Sequence, residues 1–194
     1  THLGIYDIPM MSNIPNLVYL APTTYEEYIA MLDWSTEQRE HPVAIRVPGA
    51  VIHGEKPTKD YGILNKYETV QKGSGAAIIA LGTFFGMGKQ AAELIEKKTG
   101  VKPTLINPVY ITGIDEELLE SLKKDHKAVI TLEDGILDGG FGEKIARFYG
   151  DSDMRTVNFG LKKEFLDRYD ANEVLRQNGI TPEQIADRAA ELIK

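Results

Sequence analysis

Residues 76–106 read AAIIALGTFFGMGKQAAELIEKKTGVKPTLI. The first six, AAIIAL, form an apolar run with no polar alternation, the mark of a strand covered on both faces. Over 84–98 the apolar side chains Met87, Ala91, Leu94 and Ile95 recur at the spacing of one helix face. Gly100 stops that helix, because glycine enters the left-handed conformation that closes a last turn without steric cost. Residues 101–106 follow as a second short strand. Strand, helix and strand joined by short turns build a βαβ unit, whose two strands run parallel.

The same alternation continues outward. Toward the C-terminus, Asp115 caps a helix that runs to about residue 124. Residues 127–132 (KAVITL) are a strand, 139–149 a loop entering a helix, and 154–159 a last strand. Helices over 172–177 and 182–193 finish the chain, the second opened by Thr181 and Pro182. Toward the N-terminus, residues 67–71 are an edge strand. From residue 63 the order is therefore β, β, α, β, α, β, α, β, α, α, which specifies an α/β fold with a five-stranded, mostly parallel sheet flanked by helices. Further upstream, residues 16–21 (NLVYLA) and 43–47 (VAIRV) are strands around a helix that Thr23 or Thr24 caps and that runs to about Gln38. Two strands and one helix make a poor sheet alone, so this unit reads as the end of a larger parallel-sheet domain. Residues 48–64 lack apolar periodicity and carry Pro48, Gly49, Gly54, Pro57 and Gly62, the composition of a linker. The division drawn is 1–53, a linker over 54–62, and 63–194.

Composition narrows the function classes. The 194 residues carry a formal net charge of -7. Nucleic acid is thereby disfavoured as a partner, since phosphate binding needs clustered Lys and Arg. No apolar run approaches the roughly 20 residues that cross a bilayer. The absence of cysteine excludes thiol nucleophiles, zinc knuckles and iron–sulfur clusters, and is compatible with a cytoplasmic location.

The most suggestive loop is Glu133-Asp134-Gly135-Ile136-Leu137-Asp138-Gly139-Gly140-Phe141-Gly142, which leaves a buried strand and enters a helix. It admits two readings. Exposed amides at a helix N-terminus can hold an anion, or the glycines can let the helix pack tightly on the strand. Its spacing is not that of a dinucleotide fingerprint. Gly82-Thr83-Phe84-Phe85-Gly86-Met87-Gly88 likewise lacks the Gly-Lys-Ser/Thr ending of a phosphate-binding P-loop. Of the four histidines His2, His41, His53 and His126, none pair at the i, i+4 spacing of a helical metal site. Asp115, Glu116 and Glu117 read as first-turn helix charges. Glu133 and Asp134 sit at a strand end, where an acid–base pair and a structural role both remain open.

Several separated segments, taken in order, carry a resemblance. Thr1-His2-Leu3-Gly4-Ile5-Tyr6-Asp7, with Ile14-Pro15-Asn16-Leu17-Val18 and Ala21-Pro22, is similar to a THxGxxD…IPNxxxxAP stretch. Pro42-Val43-Ala44-Ile45-Arg46-Val47-Pro48 is similar to a GPxAxRYPRG strand. Asn107 with Asp115, the strand end at Glu133, Gly139-Gly140-Phe141-Gly142, Gly160-Leu161 with Phe165, and Asn178-Gly179-Ile180-Thr181 with Ile185 follow as successive marks. The ordered set resembles the C-terminal part of the 1-deoxy-D-xylulose 5-phosphate synthase family, thiamine-diphosphate enzymes of the transketolase superfamily.

The resemblance implies that residues 1–53 end a pyrimidine-binding domain and that 63–194 form a transketolase C-terminal-like domain. It implies a transferase that condenses pyruvate with glyceraldehyde 3-phosphate and releases carbon dioxide, on the route to isoprenoid precursors. Thiamine diphosphate and Mg2+ would serve the full-length enzyme through residues upstream. This segment would bind neither, would hold no metal ligand, and would be inactive alone; its opening at Thr1 reads as the middle of a longer protein. His2 would be an active-site histidine, a hydrogen-bond donor or proton shuttle, and Arg46 a substrate contact. The expected partners are the protein's own N-terminal domains, a second copy in a homodimer, and keto acid and aldehyde substrates. Two departures keep other functions open. Gly49 stands where the family has a second arginine suited to a sugar phosphate, and Thr112-Gly113-Ile114-Asp115 replaces its KPLD. The alternatives are a divergent transketolase-like enzyme with another acceptor and a non-catalytic assembly or dimerisation subunit.

Overall fold

The computed structural model describes residues 4–47 and 49–193. Its first unit opens on a short helix, α1 (Asp7–Met11), whose five residues are too few to show a 3.6-residue period in sequence. Strand β1 (Val18–Leu20), helix α2 (Tyr25–Glu37) and strand β2 (Val43–Ile45) follow. Thr24 caps α2, its hydroxyl accepting the Glu27 amide at 3.2 Å. β1 and β2 pair in parallel, Val18 against Val43 and Leu20 against Ile45. The expected βαβ unit is present, with each strand shorter than the apolar run that announced it.

The second unit contains β3 (Glu68–Gln71), β4 (Gly75–Ala80), a 3-10 turn (Gly82–Phe84), α3 (Phe85–Thr99) and β5 (Thr104–Asn107). It continues with α4 (Glu116–Leu122), β6 (His126–Ile136), α5 (Phe141–Tyr149), β7 (Arg155–Leu161), α6 (Ala171–Gln177) and α7 (Pro182–Ile193). The five strands lie in the order β3-β5-β4-β6-β7, parallel except for the antiparallel edge strand β3. The AAIIAL run is central and splits by face. Ala76, Ile78 and Ala80 pack with Ala91, Ala92 and Ile95 of α3 and with Ile185, Ala186 and Ala189 of α7. Ala77 and Ile79 pack with Leu119 of α4 and with Phe141 and Ile145 of α5. Each large apolar side chain buried in this way contributes about 1.5–3 kcal/mol. Gly100 closes α3 at φ 74°, its amide reaching the Glu96 carbonyl at 2.8 Å.

β6 departs from the sequence reading. It runs on through Glu133, Asp134 and Gly135, residues read above as loop, because β7 stays beside it and pairs Leu161 with Ile136 after an irregularity. His126 opens β6 and is buried, bonded to the Thr104 hydroxyl at 2.8 Å and to the Leu122 carbonyl at 3.1 Å.

A seam joins the two units. The Ala21 amide donates to the Val109 carbonyl at 2.8 Å, and the Ile111 amide to the Tyr19 carbonyl at 2.7 Å. Val109 takes φ 62°, strained for a β-branched residue, within a γ-turn closed by the Tyr110 amide on the Pro108 carbonyl at 2.5 Å. Val18, Leu20, Met31, Tyr61, Val109 and Tyr110 form the buried cluster beneath it. Glu27 of α2 reaches across the same seam. Its carboxylate accepts from Asn107 Nδ2 at 2.9 Å and from the Thr23 amide at 2.6 Å. Burial raises its pKa above the usual carboxylate range, against the opposing pull of Thr23 and Asn107.

Candidate functional site

Four parallel strands end at one place. Ala21 and Pro22 follow β1, Arg46 and Val47 follow β2, Gly82 and Thr83 follow β4, and Asp134 lies near the end of β6. With Gly4, Asp7 and Gly49 they line a cleft of about 400 Å³. The carboxyl ends of parallel strands are where α/β sheets place ligands, since the loops there vary without disturbing the core. A larger hollow of about 660 Å³ lies at the other end of the sheet among Lys123, Asp151, Asp153 and Arg155. It faces the starts of β6 and β7, the end opposite to the one where α/β sheets place ligands, so the smaller cleft is the better site.

Arg46 is the centre of the cleft. Its Nε donates to Asp7 Oδ2 at 2.7 Å, and its Nη1 donates to Asp134 Oδ1. Its Nη2 reaches the Gly4 carbonyl at 2.5 Å, Asp7 Oδ1 at 3.2 Å and the Asp134 carbonyl at 3.2 Å. Asp7 also accepts the Tyr19 hydroxyl, and Asp134 accepts the Thr83 hydroxyl at 2.8 Å. Burial works to raise the Asp7 carboxyl, but the bonds from Arg46 and Tyr19 outweigh it and hold the pKa low. Burial similarly opposes the Arg46 charge, and Asp134 and Asp7 more than restore it. The Tyr19 hydroxyl is pushed up, by burial first and then by the Asp7 carboxylate. The cluster sets two acidic side chains around one guanidinium.

Glu133 and Asp134 do not act as a pair. Successive strand residues point to opposite faces, so Asp134 enters the cleft while Glu133 turns to α5. The Glu133 carboxylate accepts the Phe141 amide at 2.7 Å and the Gly142 amide at 2.8 Å. A Cβ on Gly140 would sit 2.6 Å from Glu133 Oε2, and one on Gly142 would sit 2.5 Å from Thr131 Oγ1. Both sequence readings of this loop therefore meet. The glycines permit close packing, and the anion at the helix N-terminus is the chain's own glutamate. Burial pushes the Glu133 carboxyl up to about 7, against the Gly142 and Phe141 amides and the nearby Lys144.

His2 lies outside the described residues. His53 is exposed and bonds Glu26 at 2.8 Å, away from the cleft. Sequence reasoning assigned no role to Asp7, Tyr19 or Thr83. Asp7 lies 39 residues from Arg46, and Asp134 lies 88 residues from it, so no spacing rule could have joined them. Among the described residues, no group of three or more His, Asp or Glu side chains is placed to hold a metal ion. Among the same residues, no helix is long and apolar enough to cross a membrane.

Residues 65–185 match the model of the transketolase C-terminal domain. The chain is 32% identical over 196 residues to the 1-deoxy-D-xylulose-5-phosphate synthase of Clostridium tetani (strain Massachusetts / E88), covering 100% of this chain and 31% of that protein. It is 33% identical over 199 residues to the same-named protein of Clostridium perfringens (strain SM101 / Type A), covering 100% of this chain and 32% of that protein. The chain corresponds to the C-terminal part of these relatives and spans about a third of their length. Among solved structures, a split gene transketolase described as an inactive beta4 tetramer shares the fold. Its TM-score is 0.79 at 22% identity, covering 98% of this chain and 62% of that one.

Proposed function

This chain belongs to the transketolase C-terminal domain family, and on that premise we propose that it is the C-terminal segment of a thiamine-diphosphate-dependent transferase most like 1-deoxy-D-xylulose-5-phosphate synthase. One observation carries the reading most. The ends of strands from both units meet at a single cleft around Arg46, as a two-carbon transfer site between domains requires. In the proposed reaction the bond between the carboxyl and keto carbons of pyruvate breaks and carbon dioxide leaves. The keto carbon bonds to the aldehyde carbon, and the aldehyde oxygen takes a proton; for glyceraldehyde 3-phosphate the product is 1-deoxyxylulose 5-phosphate.

Thiamine diphosphate, when bound, supplies the stabilisation of the carbanion equivalent. The described residues do not fit its diphosphate and metal. The cleft sets two carboxylates against one guanidinium, and no metal cluster is formed among the described residues. Its diphosphate is proposed to be held, with Mg2+, by the protein's N-terminal domains or a second copy. Residues 1–53 are proposed as the end of the pyrimidine-binding domain, 54–62 as the linker and 63–194 as the C-terminal domain of a cytoplasmic homodimer. His2 is proposed as a hydrogen-bond donor or proton shuttle at the substrate and Arg46 as a substrate contact. A histidine suits proton transfer near neutrality because its ordinary pKa lies there.

The purified holoenzyme that carries this segment is expected to release carbon dioxide from pyruvate only with an aldehyde and thiamine diphosphate present. His2→Ala is expected to cut turnover by about 100-fold; turnover within twofold of the parent removes the role given to His2. A second reading, an association subunit without activity, is supported by the fold neighbour, a separate transketolase chain described as an inactive tetramer. Aldehyde-independent behaviour and no carbon dioxide release by the holoenzyme would favour that reading.

A further inference from the structure

We infer that a cavity beside α5, apart from the Arg46 cleft, binds a phosphate group, either free or carried by a small metabolite. The inference goes beyond the transferase reading and does not rest on it. The cavity, of about 340 Å³, is walled by Ser12 just after α1, Thr112 between β5 and α4, Gly139, and Glu143, Lys144 and Arg147 of α5. It shares no lining residue with the cleft. Lys144 and Arg147 lie three residues apart in α5, a spacing that puts two side chains on one helix face and makes like charges repel. Burial lowers the Lys144 ammonium to about 8; the Glu133 charge opposes that shift and the Arg147 charge adds to it. Glu133 itself is bonded to the Phe141 and Gly142 amides, not to Lys144. The Glu143 carboxylate, in the same wall, accepts the Gly139 amide at 2.9 Å.

The donors of both cations are therefore open. Among the described residues, Lys144 makes a single hydrogen bond, to the Ile111 carbonyl at 2.8 Å, and the Arg147 side chain makes no hydrogen bond or ion pair. An ammonium carries three donors and a guanidinium five in a fixed fork. Two of the first and all of the second remain for a ligand. The wall adds hydroxyls. Thr112 Oγ1 accepts the Tyr19 amide at 3.2 Å and keeps its own proton to donate. Ser12 Oγ is buried with no hydrogen-bond partner among the described residues, an uncommon state for a buried hydroxyl. A point charge, a planar fork and hydroxyl donors suit a group with several charged acceptor oxygens, and phosphate is that group. An anion against Lys144 and Arg147 also relieves their mutual repulsion, which no carboxylate of the wall does.

The test is hydrogen exchange on the holoenzyme with inorganic phosphate, against chloride at the same ionic strength. Exchange locates the effect, so phosphate held at the cofactor or substrate sites is not mistaken for this one. With about 10 mM phosphate, exchange across residues 111–113 and 139–147 is expected to slow at least about twofold. No slowing there, or equal slowing with chloride, would overturn the inference. Arg147 is exposed, so Arg147→Ala is expected to keep the fold and the turnover. It should raise the half-saturating phosphate concentration at least about fivefold, and Lys144→Gln should do the same. A smaller shift in Arg147→Ala would overturn the site, whatever Lys144→Gln does to folding. Glycerol 3-phosphate separates the two sources: half-saturation below that of inorganic phosphate identifies an ester as the ligand, and equal values identify the free ion. Loss of carbon dioxide release without loss of this protection would bear on the transferase reading alone.

Discussion

Glu133 and Asp134 are adjacent on one strand, yet their environments set different chemistry. Asp134 faces Arg46 and the Thr83 hydroxyl, while Glu133 is fully buried against the first amides of α5. Burial raises the Glu133 carboxyl to about 7 from an ordinary 4.5. A raised folded-state pKa means that the folded chain holds this proton more tightly than the unfolded chain. The stability it contributes is full below 4.5 and is lost as the pH rises through about 7. The loss over that window is on the order of 3 kcal/mol. Lys144, lowered by burial to about 8, acts in the opposite sense above that pH, so the Glu133 window closes there. Urea midpoints are expected to fall from pH 5 to pH 8, and Glu133→Gln, neutral throughout, is expected to flatten that fall. The variant should also start about 1–2 kcal/mol lower, because a side-chain amide oxygen can satisfy only one of the two backbone donors well. An unchanged slope in Glu133→Gln would show that another group carries the pH dependence.

At the level of elements, α5 and α3 show what the glycines of this fold do. Gly142, in the first turn of α5, has Thr131 Oγ1 at 2.5 Å and Asn158 Cγ at 2.8 Å from where a Cβ would be. Gly142→Ala is expected to cost about 2–3 kcal/mol through overpacking against β6 and β7. Gly86, in the first turn of α3, would place a Cβ with nothing within 4 Å. Gly86→Ala is expected to be neutral or to stabilise by up to about 1 kcal/mol through helix propensity. Chemical denaturation of the two variants separates these outcomes, and equal costs would refute the packing account of the loop. The elements themselves were legible because their signals are local. AAIIAL needs covering on both faces, Thr24 and Asp115 cap the helices that follow them, and Gly100 closes α3. The end of β6 was not legible. Glu133, Asp134 and Gly135 are poor strand formers, and they lie between Leu132 and Ile136, which β7 pairs at Phe159 and Leu161. The cleft was legible only in part. Arg46 stood in a recognisable segment, but its ion pair with Asp134 exists only once both units dock, and its pair with Asp7 joins residues 39 apart in sequence.

At the scale of the whole molecule, that docking is the weak point. β1 and β2 form a sheet of two strands, fewer than an independent sheet needs for stability in water. They are held to the second unit by the Tyr19–Ala21 seam, the Glu27–Asn107 bond and the bonds from Arg46 to Asp134. Exposed apolar side chains concentrate in the same unit. Met10, Ile14, Tyr25, Leu32, Val47, Val51 and Ile52 remain exposed there, against Ile63, Val70 and Phe165 beyond it. A short sheet whose β2 edge has no strand partner among the described residues, beside uncovered apolar side chains, calls for another surface. The chain is expected to self-associate, or to bind a polypeptide carrying the preceding part of its relatives, through the first unit. The attraction would be mainly apolar, so sedimentation equilibrium should give an association constant that changes little between about 0.1 and 0.5 M salt and a negative heat capacity of association by calorimetry. Hydrogen exchange should then slow at Val43 to Ile45 on association, while Tyr19 and Leu20, already buried at the seam, and β4 and β6, already buried in the five-stranded sheet, should not change. A monomer at high protein concentration, or protection that appears first on α7, would place the contact surface elsewhere.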